Sequence, residues 1–230
     1  MTEDAQTEAE CRVQTADLCT LPPKHQNIIL IGMPAVGKTT IGKRIAAAAD
    51  LTFLDTDRII EAETGKKIPD LLKENGTDGF LAIENRVCAA LHVQNSIIAT
   101  GGSVVYGEDA MRNLSEYGTV VYLKLAYPLL QKRLHAPRER GVVLRRGQSL
   151  YDLYRERVPL YEKYADIIID EHTCYPTQTA ERVYRALRRN GFFRERKNIG
   201  YLPRTLFSKK SEEEKNAQLK AQKPPHTYLS

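Results

Sequence analysis

The chain has 230 residues, 42% of them hydrophobic and 27% charged, with a net charge of +5. That is enough apolar material for one core and excludes wholesale disorder. No apolar run approaches the roughly 20 residues that a membrane-spanning helix needs.

The charge is uneven. Residues 1–26 hold two Lys/Arg against five Asp/Glu, and residues 191–230 hold nine against four Glu. The basic surplus therefore sits mostly in a tail, which reads as a solvated extension rather than a nucleic-acid surface. Residues 1–26 close on Leu21-Pro22-Pro23 and are expected to form a disordered leader. Their acidic opening resembles neither a secretory signal nor an Arg-rich transit peptide. Cys11, Cys19, Cys88 and Cys174 form no CxxC pair and no Cys/His cluster. Reduced thiols in a cytoplasmic protein are the expectation.

Between these ends, residues 27–190 alternate short apolar runs with amphipathic stretches. Asn27–Ile31 predicts a buried strand, and Lys38–Ala49 the helix after it. Thr52–Leu54 is a second strand, followed by helical segments at Arg58–Thr64, Ile68–Asn75 and Asp78–His92. Ser96–Ala99 is a third strand, closed by Gly101-Gly102, and Gly118–Leu123 a fourth. Tyr127–His135 and Ser149–Tyr161 read as helices, Ala165–Ile169 as the fifth strand, and Pro176–Arg189 as the last helix. This βαβα order predicts an α/β domain: a five-stranded, mainly parallel sheet flanked by helices. Residues 191–230 form a basic C-terminal extension, in which Phe192, Phe193, Tyr201 and Leu202 are the candidates for packing against the domain.

The strongest motif is Gly32-Met33-Pro34-Ala35-Val36-Gly37-Lys38-Thr39, which fits G-x-x-x-x-G-K-[ST] between a strand and a helix. Backbone N–H groups of such a loop, with the helix N-terminus, bind phosphate oxygens. Gly32, Ala35, Val36, Gly37, Lys38, Thr39 and Thr40 are therefore candidate ATP-binding positions, with Thr39 offering a hydroxyl to Mg²⁺. No N/T-K-x-D guanine-reading motif follows, which argues against a small GTPase; a compact kinase for a small acceptor fits better.

Asp55 and Asp57 close the second strand around Thr56. If the segment stays extended, both carboxylates face one way. Asp55 is then the metal-side group and Asp57 the one that orients the acceptor hydroxyl and takes its proton. A helix cap with an acidic first turn is the other reading of the same pair.

These residues resemble the shikimate kinase family. The resemblance rests on the phosphate loop, on Asp55-Thr56-Asp57, and on Phe80-Leu81-Ala82-Ile83-Glu84, similar to Phe-Arg-x-x-Glu. It continues through Gly101-Gly102-Ser103, similar to a Gly-Gly-Gly turn, and Arg140-Gly141-Val142-Val143, similar to a lid's Arg-Pro-Leu-Leu. It ends with Arg157-Val158-Pro159-Leu160-Tyr161 leading to Ala165-Asp166. The resemblance implies a nucleoside monophosphate kinase-like fold with a mobile lid over His135–Gly147, and Mg·ATP-dependent phosphorylation of shikimate. It implies a catalytic set of Lys38, Asp57 and Arg140, metal contacts from Thr39 and Asp55, and ATP contacts from Arg133 and Arg140. Asp57, Gly101, Gly102 and Arg157 would bind the acceptor, with Leu81 at the position of a second acceptor-binding arginine.

Leu81 and Ser103 depart from the family pattern, and Gly141 replaces the lid proline. Leucine carries no charge and donates no hydrogen bond, so an apolar patch is expected there. Two alternatives stay open on the sequence alone: a sister kinase with another small hydroxylated acceptor, and an ATP-binding regulatory protein without turnover. A monomer without membrane or nucleic-acid partners is the expectation.

Overall fold

The computed structural model describes residues 27–134, 142–145, 147–171 and 175–193. Five strands carry the site: β1 (Asn27–Ile31), β2 (Thr52–Asp55), β3 (Ser96–Ala99), β4 (Gly118–Leu125) and β5 (Ile167–Glu171). They form one sheet in the order β2-β3-β1-β4-β5, and every pairing is parallel. The mainly parallel expectation is thus met in full. Every residue of β1 and β3 is buried, as the middle of a parallel sheet covered on both faces requires.

Asn27 sets the register at the foot of the sheet. Its Nδ2 donates to Val93 O (2.7 Å) and Tyr117 O (2.9 Å), and its Oδ1 accepts from Ser96 N (3.1 Å). One polar side chain therefore ties the start of β1 to the segments entering β3 and β4. At the edge, Asp166 accepts from Val120 N through Oδ2 (2.7 Å) and donates its own N–H to Val120 O (2.9 Å). That anchor delays pairing, so β5 begins at Ile167, two residues after the expected start.

Among the described residues seven α-helices fill the connections: α1 (Lys38–Ala49), α2 (Thr56–Thr64), α3 (Ile68–Ala89), α4 (Glu108–Tyr117), α5 (Tyr127–Arg133), α6 (Leu150–Tyr164) and α7 (Pro176–Arg189). The two expected segments over Ile68–His92 are one kinked helix, α3. Its break is Gly76, at φ 67° and ψ −176°, a conformation that an L side chain rarely adopts. The helix α4 has no counterpart among the expected elements; it buries Ala110, Met111 and Leu114 on one face. Ser149 starts α6 with a capping box closed by Asp152, whose N donates to Ser149 Oγ at 3.1 Å. Phe193, and Phe192 in part, join the core beyond α7, where the Phe193 ring lies 5.0 Å from Tyr184. Tyr201 and Leu202 lie outside the described residues.

The sheet order reverses at β1, whose neighbours β3 and β4 come from opposite halves of the chain. A crevice opens beyond the carboxyl ends of the strands at such a point, and ligands of open α/β sheets bind there. The phosphate loop leaves β1 into that crevice.

Candidate active site

The loop from Gly32 to Gly37 needs unusual backbone. Gly32 has φ 141°, Ala35 φ 63° and Gly37 φ 105°. A Cβ on Gly32 would sit 2.7 Å from Leu123 O, so the loop passes β4 where no side chain fits. Gly37 opens α1 with no side-chain cap, which leaves the first N–H groups of the helix directed at whatever fills the crevice.

Lys38 is buried, and its Nζ donates to Gly32 O (2.7 Å) and Met33 O (3.0 Å). Burial lowers its amine to about 8, against the opposing pull of Asp57. Thr39 Oγ1 donates to Asp55 Oδ2 at 3.0 Å, so the hydroxyl and carboxylate expected on the metal side already meet. These are hard oxygen donors. Mg²⁺ takes one or two such protein ligands and completes its shell with waters and phosphate oxygens, so the pair fits the ion.

The acidic pair is not an extended segment. The helix α2 starts at Thr56, and Asp55 is its N-cap, with Oδ1 accepting from Asp57 N at 3.2 Å. An acceptor side chain at that position satisfies an orphan N–H, worth about 1 kcal/mol. Asp57 lies in the first turn and projects into the crevice. Burial, with Asp55 beside it, pushes its carboxyl up to about 6.

The acceptor side gathers around the turn at residues 101–103. Thr56 Oγ1 accepts from Gly101 N at 3.0 Å, and Tyr161 OH donates to Gly102 O at 2.6 Å. The turn is therefore tied to α2 on one side and to α6 on the other. A Cβ on Gly101 would overlap Glu84 Oε1 and come 3.1 Å from Asp57 Oδ1, so only glycine leaves both carboxylates in place. Arg157 is buried on α6, one turn before Tyr161. Its Nε donates to Tyr106 OH (3.3 Å), its Nη2 donates to Val143 O (3.1 Å), and the guanidinium lies 5.2 Å from the Tyr106 ring centre.

These groups line one cavity of about 530 Å³. On the phosphate side it takes Ala35, Gly37, Lys38, Thr39, Thr40 and Arg133 from the sequence-derived candidates. It also takes Asp55, the metal-side carboxylate, and on the acceptor side Asp57, Gly101, Gly102 and Arg157. Gly32 and Val36 shape the loop from behind: Val36 is buried in the main core. Arg133 is held by Val36 O (3.3 Å) and Glu171 Oε2 (3.1 Å), which ties α5 to the loop and to the end of β5.

Leu81 is half-buried against a small apolar cluster that includes Ile60, Phe80, Val87 and Val143, and it is not among the residues lining the cavity. Phe80 and Val143 stand at the wall instead. Arg140 and Gly141 lie outside the described residues; Val142 and Val143, which follow, line the cavity.

Glu84 lines the cavity yet was absent from the candidate site residues. It is fully buried, and burial pushes its carboxyl up to about 7 from an ordinary value near 4.5. The folded chain thus holds that proton more tightly than the unfolded one. Stability from this group is complete below about pH 4.5 and is lost as the pH rises through about 7. Glu84→Gln, which keeps the shape and cannot ionise, should raise the melting temperature at pH 8 and change it little at pH 4.5. Thermal melts at the two pH values check this, and an equal shift at both would assign the effect to packing.

The shikimate kinase family model matches residues 34–188. The chain belongs to the shikimate kinase family. A shikimate kinase of Aromatoleum aromaticum is 36% identical over 163 residues, which cover 70% of this chain and 93% of that protein. One from Nitrosococcus oceani is 38% identical over 166 residues, 70% of this chain and 87% of that protein. Among solved structures, shikimate kinase from Acinetobacter baumannii in complex with shikimate superposes with a TM-score of 0.66 at 29% identity. It covers 74% of this chain and 98% of that one. Shikimate kinase from Aquifex aeolicus gives 0.61 at 26% identity, covering 72% and 98%. The phosphate-loop, five-stranded parallel architecture is the one these shikimate kinases share.

Proposed function

We propose that this chain transfers the γ-phosphoryl group of ATP to a ring hydroxyl of shikimate. The observation that carries the reading is the single cavity, which joins the phosphate loop to Asp57 and Arg157 across the turn at residues 101–103. The loop N–H groups and Lys38 hold the β- and γ-phosphates. Thr39 and Asp55 would hold Mg²⁺, which when bound would supply neutralising charge to the phosphates. Asp57 accepts the proton of the attacking hydroxyl; the new O–P bond forms as the bond to ADP breaks. Arg157, held rigid by Tyr106 and Val143 O, pairs with the acceptor carboxylate. Arg133 acts on the nucleotide side, and the family resemblance gives Arg140 a role at the ATP phosphates.

The kinase domain spans residues 27–190, and Phe192 and Phe193 of the basic extension pack on its core. No helix among the described residues is long and apolar enough to cross a membrane.

ADP release from Mg·ATP tests the reading with shikimate and a panel of cyclic and linear hydroxy acids and polyols. Shikimate should support turnover in the usual kinase range, about 1–100 per second. Turnover with another panel member and none with shikimate would assign a different acceptor. Release with none of them would leave an ATP-binding protein without acceptor chemistry.

A further inference from the structure

Glu84 is the group in this cavity that the mechanism above leaves without work. Both of its carboxylate oxygens are shielded from water, and neither has a hydrogen-bond partner among the described residues. A buried acceptor without a donor is costly, and a buried charge without a partner more so. Such groups call for a ligand or a proton.

Its surroundings say which. Lys38 faces it from α1, Asp57 from α2, Cys88 from its own helix, and Arg157 and Tyr161 from α6. Ser103 stands close enough to favour the ionised form without closing a hydrogen bond of good geometry. Lys38 is committed to the carbonyls of Gly32 and Met33, and Arg157 to Tyr106 and Val143. On its own helix, the residues one turn away are Phe80, Leu81, Val87 and Cys88, none of them a cation. Asp57 adds a second negative charge across Gly101. Arg157 meets the same turn one residue on: a Cβ on Gly102 would lie 3.0 Å from Nη1. An anionic group seated on Arg157 therefore comes within reach of Glu84.

We propose that Glu84 binds the acceptor as a neutral acid, donating a hydrogen bond to the acceptor carboxylate beside Arg157, so that acceptor binding takes up one proton from solvent. This rests on the reading of shikimate as acceptor. The neutral acid serves where a second cation would otherwise stand: it supplies a donor while adding no charge. An ionised Glu84 would instead repel the carboxylate at short range. Burial already favours the protonated form up to about pH 7, and an arriving anion raises that limit further.

The test compares wild type with Glu84→Gln, which presents a permanent N–H donor and cannot titrate. KM for shikimate is measured from pH 6 to pH 8.5 at saturating Mg·ATP. Calorimetric titration of shikimate in buffers of different ionisation enthalpy counts the protons taken up. Wild-type KM should rise with pH above about 7, by at most about tenfold per unit for one proton. Proton uptake near one per shikimate should appear at pH 8. Glu84→Gln should flatten the excess rise and lower the uptake to the part that Lys38 contributes, while Asp57→Asn should keep the Glu84 part. Lys38, lowered to about 8, contributes a rise common to wild type and Glu84→Gln, so the difference between them is the readout. A wild-type KM that is flat or falls with pH overturns the proposal, as does an undiminished rise in Glu84→Gln. Should Glu84→Gln fail to fold, the wild-type proton count decides alone, and a count of zero at pH 8 overturns it. Shikimate turnover with a flat profile defeats only this proposal, whereas no shikimate turnover at any pH defeats the functional reading and this proposal with it.

Discussion

Replacing Lys38 with alanine should lower turnover by about 10³-fold or more and leave the domain folded. The amine sits at the head of α1, buried, with its hydrogen bonds given to the loop carbonyls of Gly32 and Met33. When the phosphates of ATP enter the loop, those weak neutral acceptors are exchanged for charged ones. The gain grows as negative charge develops on the transferring phosphoryl group, so it falls on kcat. Loss of a positioned charge on a phosphoryl group costs 10³–10⁵-fold in related arrangements. Stability should change little: burial disfavours the charged amine, and removing it relieves that penalty while giving up two hydrogen bonds. The check is ADP release with a thermal melt of the same preparation. Near-normal turnover in a folded Lys38→Ala protein would remove the phosphate loop from the mechanism.

The contrast between what the sequence made legible and what it did not follows from how local each signal is. The phosphate loop is contiguous, so strand, loop and helix could be read together, and β1, α1, β3 and α7 lie within their expected bounds. The helix α4 was missed because Gly107, acidic residues and Asn113 make its ten residues read as a polar connection. Its buried Ala110, Met111 and Leu114 carry the helical spacing, and that signal could have found it. The start of β5 depends on an Asp166 side chain reaching β4, a contact no local pattern announces.

The site divides in the same way. Asp55 and Asp57 were found together, but which of them caps α2 depends on one backbone hydrogen bond. Glu84 closes the motif at Phe80-Leu81-Ala82-Ile83-Glu84, a signal in the sequence, but its burial at the cavity shows only where α3, the turn at residues 101–103 and α6 come together around it. Leu81 is the converse case: a motif position marked it for the acceptor, and in the fold it packs on a small apolar cluster beside the cavity without lining it.

Asp57→Asn should lower kcat by about 10²–10⁴-fold, the usual cost of losing a positioned base. The structure separates this role from the helix cap, which the sequence could not do. Asp55 caps α2, accepting from Asp57 N, and also holds Thr39 Oγ1. Asp57 is thus spared the capping task, and its carboxylate meets the cavity beside Gly101. Asparagine keeps the size and can still accept a hydrogen bond through its amide oxygen, so the acceptor hydroxyl can still be oriented. What it cannot do is take the proton. The loss should therefore appear in kcat, with KM for shikimate changed far less, because a proton acceptor is needed only as the O–P bond forms. The fold should not suffer, since an amide is cheaper to bury than a carboxylate that burial already disfavours. Initial rates at saturating Mg·ATP across a shikimate series decide the matter. A kcat within about threefold of wild type would reduce Asp57 to a charge that favours the N-terminus of α2, and proton acceptance would then have to come from elsewhere in the cavity.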